Sequence, residues 1–220
     1  MNLFMTYAFD KWMEREHPAN PFSRYADDAV AHCRSEAEAK RLLQAIDRRL
    51  KECKLEMHPE KSGIVYCKDS RRRKDYPRIS FTFLGYEFRP RSAKKRDGKI
   101  WTSFLPAISA SAKKRIKETI REWNLPRQTS VSLNELARRY NAHIRGWMNY
   151  YGHFYKSVLR QLYDHLDQKL VRWAQRKYRK LAGKPTRARE WLQQVVRRQP
   201  RLFVHWLASG RVAVRTMGAV

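Results

Sequence analysis

The sequence predicts an α+β fold, with a mixed helix-and-strand part over residues 1–90 and an all-helical part over residues 106–220. Three observations predict it. Short apolar runs bounded by Gly, Pro, Asn and Asp occupy the first part, and apolar residues at steps of three and four occupy the second. Positive charge is split unevenly, with 18 Lys/Arg against 14 Asp/Glu in residues 1–90 and 30 against 7 in residues 91–220. Between them, residues 91–105 begin with RSAKKRDGK and read as a basic linker.

The elements follow in order. Residues 3–14 read as a helix with Leu3, Phe4, Tyr7 and Trp12 on its apolar side and Asp10, Lys11 and Glu14 on its polar side, with no N-cap before it. His17-Pro18 and Asn20-Pro21 form a loop. FSRYA and AVAHC are two strand-like runs around Asp27-Asp28, which predicts a tight hairpin with both acids at its tip. Ser35 and Glu38 have capping-box spacing and open a helix whose inner face is Ala39, Leu42, Leu43, Ile46 and Leu50. A strand is expected over residues 63–67, then a charged loop, then a strand pair or bent strand in FTFLGYEFRP with Gly85 at the bend.

Beyond the linker the pattern is helical. Ile116 and Ile120 sit four apart after Ser109 and Ser111. Ser132 and Glu135 form a second capping box, opening a helix with Leu136, Tyr140, Ile144, Trp147 and Tyr151 on one face. Leu159, Leu162, Leu166, Leu170 and Trp173 line the next helix, whose far face carries Arg160, Arg172 and Arg176. The last helix follows Pro185, with Trp191, Leu192, Val195 and Val196 inward.

Bulk properties narrow the function. A hydrophobic share of 42% supports a packed core, no apolar run can cross a bilayer, and the N-terminus lacks the pattern of a secretory signal. Cys33, Cys53 and Cys67 lack metal-ligand spacing and read as reduced, buried thiols of a cytoplasmic protein. A net charge of +27, most of it carried by residues 91–220, with seven Trp along the chain, points to a polyanion and above all to nucleic acid. The histidines form no metal or general-base constellation.

Two adjacent carboxylates repel each other, and a hairpin tip that presents both suits a hard divalent cation with oxygen ligands. An ordinary acidic turn is the plain alternative. The context Tyr25-Ala26-Asp27-Asp28, an aromatic, a small residue and two acids between apolar strands, resembles the active-site hairpin of reverse transcriptases. Pro59-Glu60-Lys61-Ser62 resembles that family's next motif, and Phe83-Leu84-Gly85-Tyr86 its primer-holding strand pair. Residues 145–151, RGWMNYY, and residues 173–181 are similar to the thumb, or maturase-specific region, of group II intron-encoded proteins.

The resemblance implies a partial reverse-transcriptase palm over residues 1–90 and a thumb/maturase domain over residues 106–220. It implies an RNA-directed DNA polymerase and maturase that uses Mg²⁺. The implied partners are group II intron RNA, an RNA/DNA primer–template and, in the full-length protein, dNTPs, with no membrane. Asp27 and Asp28 would be metal ligands and catalytic, Lys61 would meet the triphosphate, and Tyr25, Ala26 and Gly85 would lie at the primer and nucleotide. The family's palm carries a further Asp on an upstream strand. Asp10 lies on an amphipathic helix and reads instead as a surface residue, so the chain is expected to be the C-terminal portion of a longer protein. A non-catalytic module that stabilises folded intron RNA is the other reading. For RNA contact the candidates are Lys113, Lys114, Arg115, Lys117 and Arg121, then Arg138, Arg139 and Arg145, and then Arg172, Arg176, Lys177, Arg179 and Lys180 at the end of the long helix. Tyr150, Phe154 and Tyr178 lie off the apolar stripes and could stack on bases.

Overall fold

The computed structural model describes residues 2–72, 74–94 and 98–208, and these form two compact units. Of these described residues, the first unit contains those in 2–84 and 88–104, and the second those in 85–87 and 105–208. The architecture is α+β, with two small antiparallel sheets and a set of helices.

The first unit opens with α1 (Asn2–Met5), a π-helical turn over Thr6–Asp10 and α2 (Lys11–Glu16). A π turn holds an extra residue, so steps of four stay in line through it. Met5, Phe9 and Met13 therefore face inward, while Leu3, Phe4 and Tyr7 point to solvent, which corrects the expected apolar side. Strands β1 (Phe22–Tyr25) and β2 (Asp28–Ala31) pair antiparallel, with Phe22 opposite Ala31 and Tyr25 opposite Asp28. Helix α3 (Glu36–Glu52) starts at Ser35, whose Oγ accepts the Glu38 N–H at 3.2 Å. Leu42 from α3 joins Met5, Phe9 and Met13 in the small core of this unit.

Residues 63–67 make no strand ladder. They run extended, with Tyr66 donating one backbone bond to the Arg78 carbonyl and its ring 4.4 Å from that of Tyr76. FTFLGYEF is a strand pair, with β3 (Phe81–Phe83) turning through Leu84 and Gly85 into β4 (Tyr86–Lys94). Both turn residues have positive φ, at 51° and 77°, the requirement of a tight type I′ hairpin. Strand β5 (Ile100–Ile108) completes the sheet in the order β3–β4–β5. Strands thus occupy most of the stretch read as a linker; its residues 95–97 lie outside the described residues.

In the second unit, α4 (Ala110–Glu122) is capped by Ser109 and buries Ile116 and Ile120. Helix α5 (Leu133–Tyr151) has the full capping box. Ser132 Oγ accepts the Glu135 N–H at 3.2 Å, and Glu135 accepts the Ser132 N–H at 2.7 Å. Helix α6 (Ser157–Lys177) buries Leu159, Leu162, Leu166, Leu170 and Trp173, as its spacing requires. Helices α7 (Pro185–Arg198) and α8 (Val204–Ala208) close this core, where Trp206 is fully buried. Asp167 accepts from Trp206 Nε1 at 2.9 Å and pairs with His205 Nε2 at 3.0 Å, tying α8 to α6 in the interior. No helix among the described residues is long and apolar enough to cross a membrane. The three cysteines are free thiols and half-buried.

Candidate functional site

The β1–β2 hairpin turns through Ala26 and Asp27, and Ala26 sits in the left-handed region at φ 54°. A side chain there is sterically costly, so the surrounding structure must impose the turn. Arg24 imposes it. Its Nη1 donates to the Ala26 carbonyl at 2.6 Å, while Nε and Nη2 fork onto the two Asp10 oxygens, also at 2.6 Å. The Arg24 and Asp10 side chains are only 10% and 21% exposed. This hydrogen-bonded carboxylate also raises the guanidinium pKa. Asp10 is therefore not the idle surface residue expected from its helix pattern; it anchors the hairpin tip.

The base of the hairpin is held separately. Asn20, itself buried, donates Nδ2 to the His32 carbonyl at 3.1 Å and to Glu38 Oε1 at 2.7 Å. Glu38 also accepts the Arg34 N–H at 2.7 Å, and this backbone bond and then Asn20 pull its pKa down. Strand end and helix start thus share one hydrogen-bonded knot.

The tip is open. Tyr25, Asp27 and Asp28 are exposed, and among the described residues neither carboxylate has a hydrogen bond or ion pair. Two exposed, adjacent carboxylates fit the edge of a hard cation. They do not by themselves close a two-ion set, because no group of three or more His, Cys, Asp or Glu comes together among the described residues. Asp10 is engaged by Arg24. Lys61 is exposed in the turn after His58 and makes no hydrogen bond or ion pair with the acids. Gly85 belongs to the second unit. A Cβ there would lie 2.7 Å from Tyr151 Oη, so the glycine is needed both for its φ and for this close approach. Tyr86 beside it donates to the Tyr150 carbonyl and meets Tyr150, Tyr151 and Phe154 at ring separations of 5.3–5.6 Å.

The basic candidates of the second unit fall into three groups. Lys113, Lys114, Arg115, Lys117 and Arg121 lie on α4, and Arg138, Arg139 and Arg145 on α5. Arg172, Arg176 and Lys177 end α6, whereas Arg179 and Lys180 fall on a separate 3₁₀ turn over Arg179–Leu181, because Tyr178 leaves the helical region at φ −107° and ψ 113°. Lys177 is engaged internally. Its Nζ donates to the Thr129 and Val131 carbonyls at 2.7 and 3.0 Å and stands 5.5 Å above the Trp173 ring. Arg139 reaches Gln128 Oε1 at 3.2 Å. Tyr178 packs edge-on against Trp173 at 5.8 Å and beside Trp191 at 5.1 Å, while Tyr150 and Phe154 stay about half exposed.

Cations also face one another across α4 and α6. Burial first, and then Lys169, Lys117, Arg121 and Arg172, push the His165 pKa down; burial, Arg172 and Arg121 push Lys169 down. The sequence shows these charges singly. Their convergence requires two helices 40 or more residues apart to pack.

Two family models match the chain. Residues 1–88 match reverse transcriptase (RNA-dependent DNA polymerase), and residues 113–196 match the group II intron maturase-specific domain. Comparison with curated proteins gives no match.

Proposed function

Because the chain belongs to the group II intron reverse transcriptase/maturase family by both matches, we propose that it carries the acidic hairpin of an RNA-directed DNA polymerase joined to a module that holds intron RNA and primer–template. The observation that carries this reading is the hairpin itself. Two unpartnered carboxylates project from a turn that the Asp10–Arg24 pair holds in a costly conformation.

In this reading Asp27 and Asp28 hold Mg²⁺, which when bound lowers the cost of charge at the reacting phosphate. The protein's own residues do the rest. Arg24 keeps both carboxylates at the tip. Tyr25, 65% exposed, offers a ring face to the primer terminus, and Ala26 leaves room beside it. Lys61 brings a positive charge to a triphosphate. The residues of the palm and thumb are assigned as residues 1–90 and 106–220, and the Arg and Lys of α4, α5 and α6 neutralise RNA phosphates.

A second reading has its own observation. No third acid joins Asp27 and Asp28 among the described residues. On that reading the chain binds and stabilises folded intron RNA without polymerising.

Two measurements test both. Structured RNA should bind the purified chain with an affinity that falls steeply with salt, and binding that is absent or insensitive to salt refutes the RNA assignment. Primer extension with Mg²⁺ and dNTPs separates the readings. Extension that Asp27→Asn abolishes supports polymerisation by this chain, and no extension with intact RNA binding supports the binding module.

A further inference from the structure

The second unit has a polar cleft of about 540 Å³ lined by Asn124, Arg127, Arg172, Gln175, Arg176 and Gly183. Its walls come from three places. Asn124 ends the α4 segment in the left-handed region at φ 48° and starts the 3₁₀ turn Leu125–Arg127, whose Leu125 is buried. Arg172, Gln175 and Arg176 stand on the last turns of α6. Gly183 turns the chain back at φ 68°, and the space where its Cβ would sit is open.

The chemistry of the lining is unsatisfied. Among the described residues, none of the Arg127, Arg172 and Arg176 guanidinium groups, and neither the Asn124 nor the Gln175 side-chain amide, makes a hydrogen bond. No carboxylate among the described residues lines the cleft. At Arg172 it runs into the α4–α6 cation cluster, where His165 Nε2 is buried with no hydrogen-bond partner among the described residues and where burial, Arg172 and Arg121 lower the Lys169 pKa. Three forks that match a phosphate lie beside two amides that can each donate to and accept from a base edge. An acidic peptide would use the forks and leave the amides idle. The volume suits one small ligand.

We propose that this cleft receives a single unstacked nucleotide of a folded RNA, with its phosphate on the arginine forks and its base edge on Asn124 and Gln175. RNA is read mainly where bases are splayed out of the helix, so a bulge or loop nucleotide is the natural occupant. The proposal rests on the RNA-binding reading above and adds which feature of the RNA is read.

The test compares two RNA hairpins of equal length on the full chain at one salt concentration, one fully paired and one with a single unpaired nucleotide. The bulged hairpin should bind roughly tenfold tighter. Arg127→Gln with Arg176→Gln should weaken both RNAs and remove the preference, because these exposed side chains serve the cleft. Gln175→Ala should reduce the preference while leaving the salt dependence unchanged. A 4-thiouridine at the unpaired position should crosslink to peptides containing Asn124–Arg127 or Gln175–Gly183. Equal binding of the two hairpins by the unaltered chain overturns the proposal while leaving RNA binding intact, and so do crosslinks confined to other peptides. Binding of neither hairpin overturns both this proposal and the reading beneath it. Displacement of the bulged RNA by an equimolar free mononucleotide would assign the cleft to nucleotides in solution and overturn its assignment to RNA.

Discussion

Replacing Arg24 by Met keeps most of the stem but removes the guanidinium. It breaks the two bonds to Asp10 and the bond to the Ala26 carbonyl. Exposed ion pairs contribute up to about 1 kcal/mol, and breaking a buried one costs about 3–5 kcal/mol. With side chains 10% and 21% exposed, this pair lies between those limits, so Arg24→Met should cost about 2 kcal/mol of local hairpin stability. Asp10→Asn keeps the shape and loses the charge, and should cost about 1–2 kcal/mol. The double variant should be little worse than Arg24→Met alone, because both substitutions remove one interaction. Peptide-resolved amide hydrogen exchange over residues 22–31 reads the effect directly. Opening that is easier by about 2 kcal/mol speeds exchange about 30-fold. Unchanged exchange in Asp10→Asn would refute the anchoring role. So would a double variant whose cost is the simple sum of the two.

Gly85→Ala places a methyl group near Tyr151 Oη at a left-handed φ and should cost about 1–2 kcal/mol, seen as a melting temperature a few degrees lower. Adding Tyr151→Phe should recover part of that loss. Asp167→Ala leaves His205 Nε2 and Trp206 Nε1 without their acceptor in the core and should cost about 3 kcal/mol in urea denaturation of the second unit. Ser132→Ala removes the α5 cap and should cost about 1 kcal/mol. His165 has a folded pKa below its unfolded value, so the unfolded chain takes up a proton first as pH falls. Its contribution is intact above the unfolded value of about 6.5 and is lost as pH drops through the lower folded value. Urea midpoints should therefore fall between neutral and mildly acidic pH, and less so in His165→Gln.

Local signals were the most legible. The Ser132–Glu135 box and the steps of three and four from Leu159 to Trp173 are short-range patterns, and each fixes a helix regardless of what it packs on. The hairpin around the two acids was nearly as readable, but its two-residue turn falls on Ala26 and Asp27, one residue earlier than the acids suggest, and Asp28 begins β2. The failures share another cause. Asp10 and Arg24 are 14 residues apart, and the π turn shifts the phase that an ideal helix assigns to Asp10, Leu3 and Phe4. The linker reading of residues 91–105 rests on the charge and glycine of RSAKKRDGK, yet alternate residues of a strand can face solvent while the backbone ladder holds, as β4 and β5 do. Residues 63–67 are strand-like in composition, but a ladder needs a neighbouring backbone in register, and only one bond to Arg78 forms. Lys177 looks like its basic neighbours until the Thr129 and Val131 carbonyls are seen above it.

The chain does not finish one unit before beginning the other. It leaves the first at Gly85, returns at Phe88 and leaves again at Leu105. Genetic exchange feels this threading directly. A single crossover within this stretch cannot hand both units on whole, since joining before Gly85 strands residues 88–104 with the wrong parent and joining after Phe104 strands residues 85–87. Exchanging one unit whole while keeping the other therefore takes three coordinated breakpoints, before Gly85, before Phe88 and before Leu105. Gene shuffling that samples single junctions should recover functional hybrids most often from a junction beside Phe104, which displaces only residues 85–87, and less often from junctions inside either unit.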